Sequence, residues 1–269
     1  MASTKTLVPT GLGLNCERET SHACLASGAS QVELVHTLEL LSKPQDLLQY
    51  GLIVFMGGFL DGDHLGSARV NVNRFKFGAT WDLQTALRDY LAAGRLILGI
   101  CNGFQFLVKL GLLPFEEEAF QTQSVSLTQN ANNRFEDRWV HLKVNPACPT
   151  PFLQSIETLY LPIRHGEGRI VLKNEEVGQK LWAQQQVALQ YADAQGNPTG
   201  DYPQNPNGSW NHVAGLCSAQ GRVFGLMPHP EAFHHRTNHP HWTRLQGQPE
   251  EGAGLAIFKN AYTHLSRLA

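Results

Sequence analysis

The chain has 269 residues, a formal net charge of -2 at pH 7, 42% apolar residues and only 16% charged residues. This near-neutral balance, with no run of lysines or arginines, argues against nucleic acid as a partner, because phosphate binding requires a concentrated basic face. The sequence shows neither a signal peptide nor an apolar segment long enough to span a membrane, and its five cysteines are an odd number without a CxxC pair, so we expect a reduced, cytoplasmic protein.

Short apolar runs alternate with helical patterns through the first half of the chain, which is typical of βαβ units and a parallel sheet. The predicted helices, each ending at a glycine, cover residues 16–28, 80–94 and 104–111. The predicted strands cover residues 5–10, 31–37, 52–58 and 96–100. The last of these strands, "LILGI", is wholly apolar, which indicates a central position in the sheet.

After Phe115 the pattern predicts strands without intervening helices, and helix returns only at residues 252–268. The predicted strands of this second half are 124–130, 138–144, 159–165, 168–172, 187–193, 213–218 and 222–227. Residues 193–210 are rich in Gly, Pro and Asn and are predicted to form a loop. Because no repeat or long linker is visible, we expect one domain over residues 1–269. Its predicted fold is α/β, with a mostly parallel central sheet flanked by helices and a β-rich second half.

The segment "GICNG", residues 99–103, places Cys101 between two glycines at a predicted strand-to-helix junction. This is the G-x-nucleophile-x-G pattern of a nucleophile elbow, where the turn is too tight for flanking side chains. We expect the sulfur of Cys101 to project into solvent above the sheet, at a helix N-terminus that favours the thiolate. The alternative is an ordinary buried thiol, which is the commoner state of a cysteine considered alone.

A nucleophilic thiol needs a histidine to accept its proton and an acid to orient that histidine. Of the 12 histidines, His229 follows an apolar strand directly, in "LMPHPEAF", with a proline on each side. In an extended chain His229 and Glu231 would share a face, which predicts a base and its orienting acid; the alternative is a pair of exposed loop residues. His165 and Glu167 form a second His-x-Glu pair, either a rival base or a docking surface.

Backbone amides could stabilise the oxyanion that forms when a nucleophile attacks a carbonyl. One candidate is the amide of Asn102, and another is the amide of Gly57 or Gly58 at the end of a predicted strand. Glycines at strand ends are, however, usually just turn residues. No phosphate-binding loop is visible in the sequence. The histidine-rich segment contains His234, His235, His239 and His241. No cysteine or carboxylate joins it at zinc-site spacing, so we interpret it as a hydrated loop and expect no metal site.

These residues resemble a known family. "GICNGFQFLVKLGLLP" and "GLMPHPE" are similar to the class I glutamine amidotransferases, whose Cys-His-Glu triad hydrolyses the side-chain amide of glutamine and releases ammonia. Within that family the chain resembles the glutaminase subunits or domains of phosphoribosylformylglycinamidine synthase, an enzyme of purine biosynthesis. The matching stretches are residues 15–20, 56–68, 127–140, 162–169 and 202–209, and the last three are specific to this synthase. The chain departs from shorter relatives in reading "HPEA" instead of "HPER" and in its histidine-rich segment.

The resemblance implies a flavodoxin-like fold, L-glutamine as substrate and no cofactor in this chain. It also implies a synthetase partner subunit that uses ATP and Mg, and it leaves open a small third subunit. Residue by residue, the resemblance implies that Cys101 is the nucleophile, His229 the base and Glu231 the orienting acid. It also implies that the amides of Gly58 and Asn102 bind the oxyanion and that Gln105, Asn130 and Arg134 contact glutamine. Two alternatives remain: a stand-alone γ-glutamyl Cys-His hydrolase, and a glutamine-sensing subunit without activity.

Overall fold

The computed structural model describes residues 4–43, 45–116 and 119–268. The strands of the first half are β1 (Lys5–Thr10), β2 (Gln31–His36), β3 (Leu52–Phe55) and β4 (Leu96–Ile100). Those of the second half are β5 (Val125–Thr128), β6 (Glu136–Val144), β7 (Thr158–His165), β8 (Arg169–Leu172), β9 (Val187–Ala192), β10 (Val213–Cys217) and β11 (Val223–Leu226). The α-helices are α1 (Glu17–Ala26), α2 (Thr37–Ser42), α3 (Arg69–Phe77), α4 (Leu83–Ala92), α5 (Asn102–Leu110), α6 (Glu175–Ala183) and α7 (Leu255–Arg267).

A nine-stranded sheet with the order β2-β1-β3-β4-β11-β10-β9-β6-β7 runs through the molecule. Its first five strands pair in parallel, as predicted. The strands that follow in the sheet pair antiparallel, so the β-rich second half extends the parallel core. β4 lies between β3 and β11 and is buried at every residue, which confirms its predicted central position.

Helices cover both faces of the parallel strands. On one face, the rings of Phe55, Phe75 and Phe106 join β3, α3 and α5, with centroids 4.7 to 6.2 Å apart. On the other face, the hydroxyl of Tyr262 in α7 lies 2.7 Å from the hydroxyl of Thr6 in β1. This two-sided cover buries the short apolar strands that the sequence pattern predicted.

The prediction of a helix-free second half was wrong, because α6 lies between β8 and β9. Its N-terminus has strong local signals: the side chain of Asn174 accepts from the amide of Val177, and two glutamates occupy the first turn. Gly178 interrupts the apolar pattern because a Cβ there would lie 2.6 Å from Trp210. The short helices α2 and α3 were not predicted either, and β5 pairs with β8 in a separate small sheet.

The carboxyl ends of the parallel strands meet at one edge of the sheet. β1, β3, β4 and β11 end at Thr10, Phe55, Ile100 and Leu226, and the segments that follow these residues therefore lie side by side. Among the described residues, no helix is long and apolar enough to cross a membrane.

Candidate active site

Cys101 occupies a strained turn between β4 and α5. Its φ of 51° and ψ of -104° lie outside the favoured regions for a residue with a side chain. A Cβ on Gly103 would lie 1.9 Å from the Phe55 carbonyl oxygen, and one on Gly99 would lie 2.5 Å from Leu107 Cδ1. Both glycines are therefore required by contact, which is the nucleophile-elbow geometry that the sequence predicted.

The expectation that Cys101 projects into solvent was wrong, because its residue is 5% exposed. The end of β7 covers it: the thiol donates to the carbonyl of Arg164, with 3.7 Å between sulfur and oxygen. Sequence analysis could not anticipate this cover, because the two residues are 63 positions apart. The Cys101 thiol is therefore buried, away from bulk water.

His229 and Glu231 form a tight buried pair beside Cys101. The distance from Nδ1 of His229 to Oε1 of Glu231 is 2.6 Å, and the two side chains are 3% and 1% exposed. Although burial lowers the pKa of His229, the Glu231 carboxylate and then Cys101 outweigh it and raise the pKa well above its usual value. The predicted base and orienting acid are thus brought together, although by a short 3₁₀ turn at Pro230–Ala232 instead of an extended chain.

The other ring nitrogen of His229, Nε2, is buried, and it makes no hydrogen bond to any of the described residues. Cys101 lies close enough to raise the pKa of His229. With Nδ1 held by Glu231, the nitrogen available to exchange a proton with Cys101 is Nε2. Thiol, imidazole and carboxylate therefore lie together as a catalytic triad requires, and their catalytic roles stay predictions.

Gly58 follows β3 and Asn102 begins α5, so both lie at the edge of the sheet where Cys101 follows β4. Gly58 has a φ of 142°, and a Cβ on it would lie 2.7 Å from the Cα of Leu14, so glycine is required at this position. Gly57 packs its α-carbon against the imidazole of His229. Asn102 is the first residue of α5, where an amide has no acceptor within the helix. The two amides are thus suited to an oxyanion, and that role stays a prediction.

Gln105 and Asn130 hold the turn that follows β7. Gln105 donates from Nε2 to the carbonyl of Glu167 over 2.6 Å. Asn130 donates to the carbonyls of His165 and Arg134 and accepts from the amide of Gly168. Both amide side chains are buried, whereas Arg134 is exposed. Direct contacts of these residues with glutamine stay predictions.

His165 does not share the features of a base. Its ring is buried against Gly168, and its Nδ1 lies 3.1 Å from Oδ1 of Asn130 instead of a carboxylate. Burial, and then His229, lower the pKa of His165 to about 3, so the ring is neutral. Glu167 points elsewhere: its carboxylate accepts from the amide of Ser67 and pairs with Lys109. The geometry therefore favours His229 over His165.

The histidine-rich segment forms no metal cluster. Among residues 4–43, 45–116 and 119–268, the single group of three or more potential ligands within reach of one ion is Cys16, His229 and Glu231. His239 instead packs among the rings of Trp139 and Tyr160.

Two residues near the site were not assigned a role from the sequence. Cys16 follows the loop after β1 and lies beside His229; the signal that could have found it is its position at the carboxyl edge of the parallel strands. Lys109 in α5 reaches the Ser67 carbonyl and the Glu167 carboxylate, and so joins the loop before α3 to the turn after β7. A lysine near a helix end offered no such signal in the sequence.

Comparison with known proteins agrees with this geometry. The model of the CobB/CobQ-like glutamine amidotransferase domain matches residues 3–265. The chain belongs to the glutamine amidotransferase family. This amidotransferase is 43% identical over 261 residues to the phosphoribosylformylglycinamidine synthase subunit PurQ of Dehalococcoides mccartyi, covering 97% of each chain. It is 38% identical to the subunit of the same name from Methanococcus maripaludis, covering 98% of each.

Among solved structures, the amidotransferase is similar to a chain in the structure of PurLQS from Thermotoga maritima. The TM-score is 0.70 at 29% identity, and the match covers 98% of this chain and 100% of the other. Family, sequence and fold therefore agree along nearly the whole chain, including the antiparallel extension of the sheet.

Proposed function

We propose that this chain is the glutaminase subunit of a phosphoribosylformylglycinamidine synthase. It hydrolyses L-glutamine to glutamate and ammonia and supplies the ammonia to a synthetase partner in purine biosynthesis. The observation that carries the proposal is the convergence of Cys101, His229 and Glu231 at one buried point of an amidotransferase fold. The relatives named PurQ, which match along nearly their full length, support the choice of substrate and pathway.

The first half of the reaction forms a thioester. Nε2 of His229 takes the proton of the Cys101 thiol, and the thiolate attacks the side-chain carbonyl carbon of glutamine. The oxyanion that forms accepts hydrogen bonds from the amides of Gly58 and Asn102. His229 then gives its proton to the amide nitrogen, the carbon–nitrogen bond breaks, and ammonia leaves. Glu231 stabilises the imidazolium through Nδ1 during this step.

The second half returns the enzyme to its starting state. Water attacks the thioester carbonyl as His229 accepts one of its protons, and the carbon–sulfur bond breaks. The departing sulfur regains its proton from His229, and glutamate is released. Each step uses side chains of this chain, whereas ATP and Mg chemistry belongs to the synthetase partner. A small third subunit and a cytoplasmic location are parts of the same proposal.

The test combines the chain with a purified synthetase partner and measures amidine formation from glutamine or from an ammonium salt. Cys101→Ala should eliminate the glutamine-driven reaction and preserve the ammonium-driven one, because it removes the nucleophile and no part of the synthetase. Cys148→Ala, which removes a partly buried thiol outside the triad, is the matched control and should preserve both reactions.

Other outcomes would indicate the alternatives. Fast hydrolysis of glutamine by the isolated chain, unchanged by the partner, would indicate a stand-alone hydrolase. Failure of a glutamine-analogue alkylator to label Cys101 would indicate a sensing subunit without activity. Loss of both reactions in Cys101→Ala, or of neither, would contradict the proposed role of Cys101.

A further inference from the structure

The proposed mechanism leaves one buried nucleophilic group beside the triad unused. Cys16 is 5% exposed, and its sulfur, a ring nitrogen of His229 and a carboxylate oxygen of Glu231 all lie within 4.8 Å of one another. Oε2 of Glu231 is also buried and has no hydrogen-bond partner among the described residues. Three potential ligands thus converge, and one of them has an unused oxygen.

The backbone at Gly57 runs beside this cluster. A Cβ on Gly57 would lie 3.2 Å from Nδ1 of His229 and 3.4 Å from the sulfur of Cys16, so the glycine borders both groups. The Cys16 thiol donates to Oδ1 of Asn15 over a long 3.4 Å and lies within hydrogen-bonding reach of His229.

We propose that Cys16, His229 and Glu231 form a binding site for Zn²⁺ that inhibits the enzyme. Thiolate, imidazole and carboxylate are the ligands that zinc prefers in proteins, and three protein ligands leave a fourth position for water. The charges balance, because a thiolate and a carboxylate together neutralise the ion, as a buried site requires. On binding, the Cys16 thiol releases its proton to solvent, and the proton that Nδ1 of His229 shares with Glu231 moves to Nε2 as Nδ1 takes the metal.

Inhibition follows from the position of the remaining ring proton. With Nδ1 on the metal, the neutral imidazole carries its proton on Nε2. That nitrogen then has no lone pair to accept the proton of Cys101, so the thiolate is not formed. Glu231 is also withdrawn from its role beside the imidazolium. This consequence rests on the proposed function, whereas the metal site itself does not.

The binding test avoids both Cys101 and the other close pair of thiols, Cys148 and Cys217, whose sulfurs lie 2.8 Å apart. In the full chain carrying Cys101→Ser and Cys148→Ser, Co²⁺ should bind in one equivalent and produce a thiolate-to-cobalt charge-transfer band. Zn²⁺ should displace it. Adding Cys16→Ser should abolish the band and weaken Zn²⁺ binding, measured against a chromophoric chelator, by at least about tenfold. Circular dichroism of each variant checks folding.

The activity test uses the chain with Cys148→Ser in complex with a synthetase partner. Zn²⁺ should inhibit the glutamine-driven reaction reversibly, with recovery on adding a chelator, and should leave the ammonium-driven reaction unchanged. Cys16→Ser should raise the Zn²⁺ concentration needed for half inhibition by at least about tenfold. The ratio of inhibited to uninhibited rate is compared within each variant, so a change in basal rate does not affect the result.

The two proposals fail in different ways. A folded chain that gives no charge-transfer band, or equal Zn²⁺ inhibition with and without Cys16, overturns the metal site and leaves the glutaminase intact. A cobalt band that depends on Cys16, in a chain without any glutamine-driven activity, overturns the proposed function and leaves the metal site.

Discussion

Gly103→Ala tests whether the nucleophile elbow depends on direct contact between α5 and β3. The new Cβ would lie 1.9 Å from the Phe55 carbonyl oxygen and 2.5 Å from its carbon, and real Cβ atoms keep at least 3.0 Å from such atoms. Because the obstacle is backbone in a central strand, no side chain can rotate away. The helix and the strand must therefore separate by about 1 Å, a displacement comparable to the misplacements that impair catalysis.

We expect Gly103→Ala to lower the free energy of unfolding by about 3 kcal/mol, at the upper end of the range for overpacked cores. For a chain of this size that corresponds to a fall in Tm of about 6–12 °C. Displacement of Cys101 should also lower kcat/KM for glutamine about a hundredfold. Thermal unfolding followed by circular dichroism, and a glutaminase assay in the complex, measure the two effects.

Gly166→Ala is the matched control. Gly166 has a φ outside the left-handed region, and the one atom within 4 Å of its added Cβ would be Cδ2 of Phe135 at 3.9 Å. Its Tm should therefore stay within about 2 °C of the parent. A Gly103→Ala variant as stable as Gly166→Ala would refute the argument that contact with the Phe55 backbone requires glycine in the elbow.

Three further predictions concern the buried polar groups. Glu231→Gln should lower kcat for glutamine about 10²- to 10⁴-fold and spare ammonium-driven synthesis, because it removes the charge that stabilises the imidazolium; an unchanged kcat would exclude this role. His165 has a pKa of about 3, below the value of about 6.5 for an unfolded histidine. Below about pH 6.5 the unfolded chain therefore binds a proton that the folded chain does not. The free energy of unfolding then falls by up to about 1.4 kcal/mol for each pH unit by which the pH is lowered. His165→Asn should reduce that slope in urea unfolding between about pH 7 and about pH 5, and an unreduced slope would assign it to other groups. Asn130→Asp places carboxylate oxygen against the two carbonyls to which Asn130 donates and should cost about 2–4 kcal/mol of unfolding free energy; a loss below about 1 kcal/mol would contradict the hydrogen-bond assignment.

Much of the parallel core was predictable because its signals are local. β4 is wholly apolar, α5 ends at Gly111, and the glycines around Cys101 are spaced for an elbow. Such patterns reflect backbone and packing constraints within a few residues, and these are the same in any fold that contains them. The nine residues of α6 were missed because Gly178 interrupts the helical pattern for the sake of a contact with Trp210, which is distant in sequence.

The sequence by itself determined the elbow at Cys101, the His-x-Glu segment at 229–231, the parallel strands and the resemblance to an amidotransferase. Tertiary structure alone decided what surrounds those groups. Arg164 at the end of β7 covers the thiol, Asn130 instead of Glu167 contacts Nδ1 of His165, and Cys16 lies beside His229. These contacts join residues 35 to more than 200 positions apart, and no local pattern encodes them. They arise because parallel strands bring their carboxyl ends to one edge of the sheet, where segments without common sequence signals must share the same space.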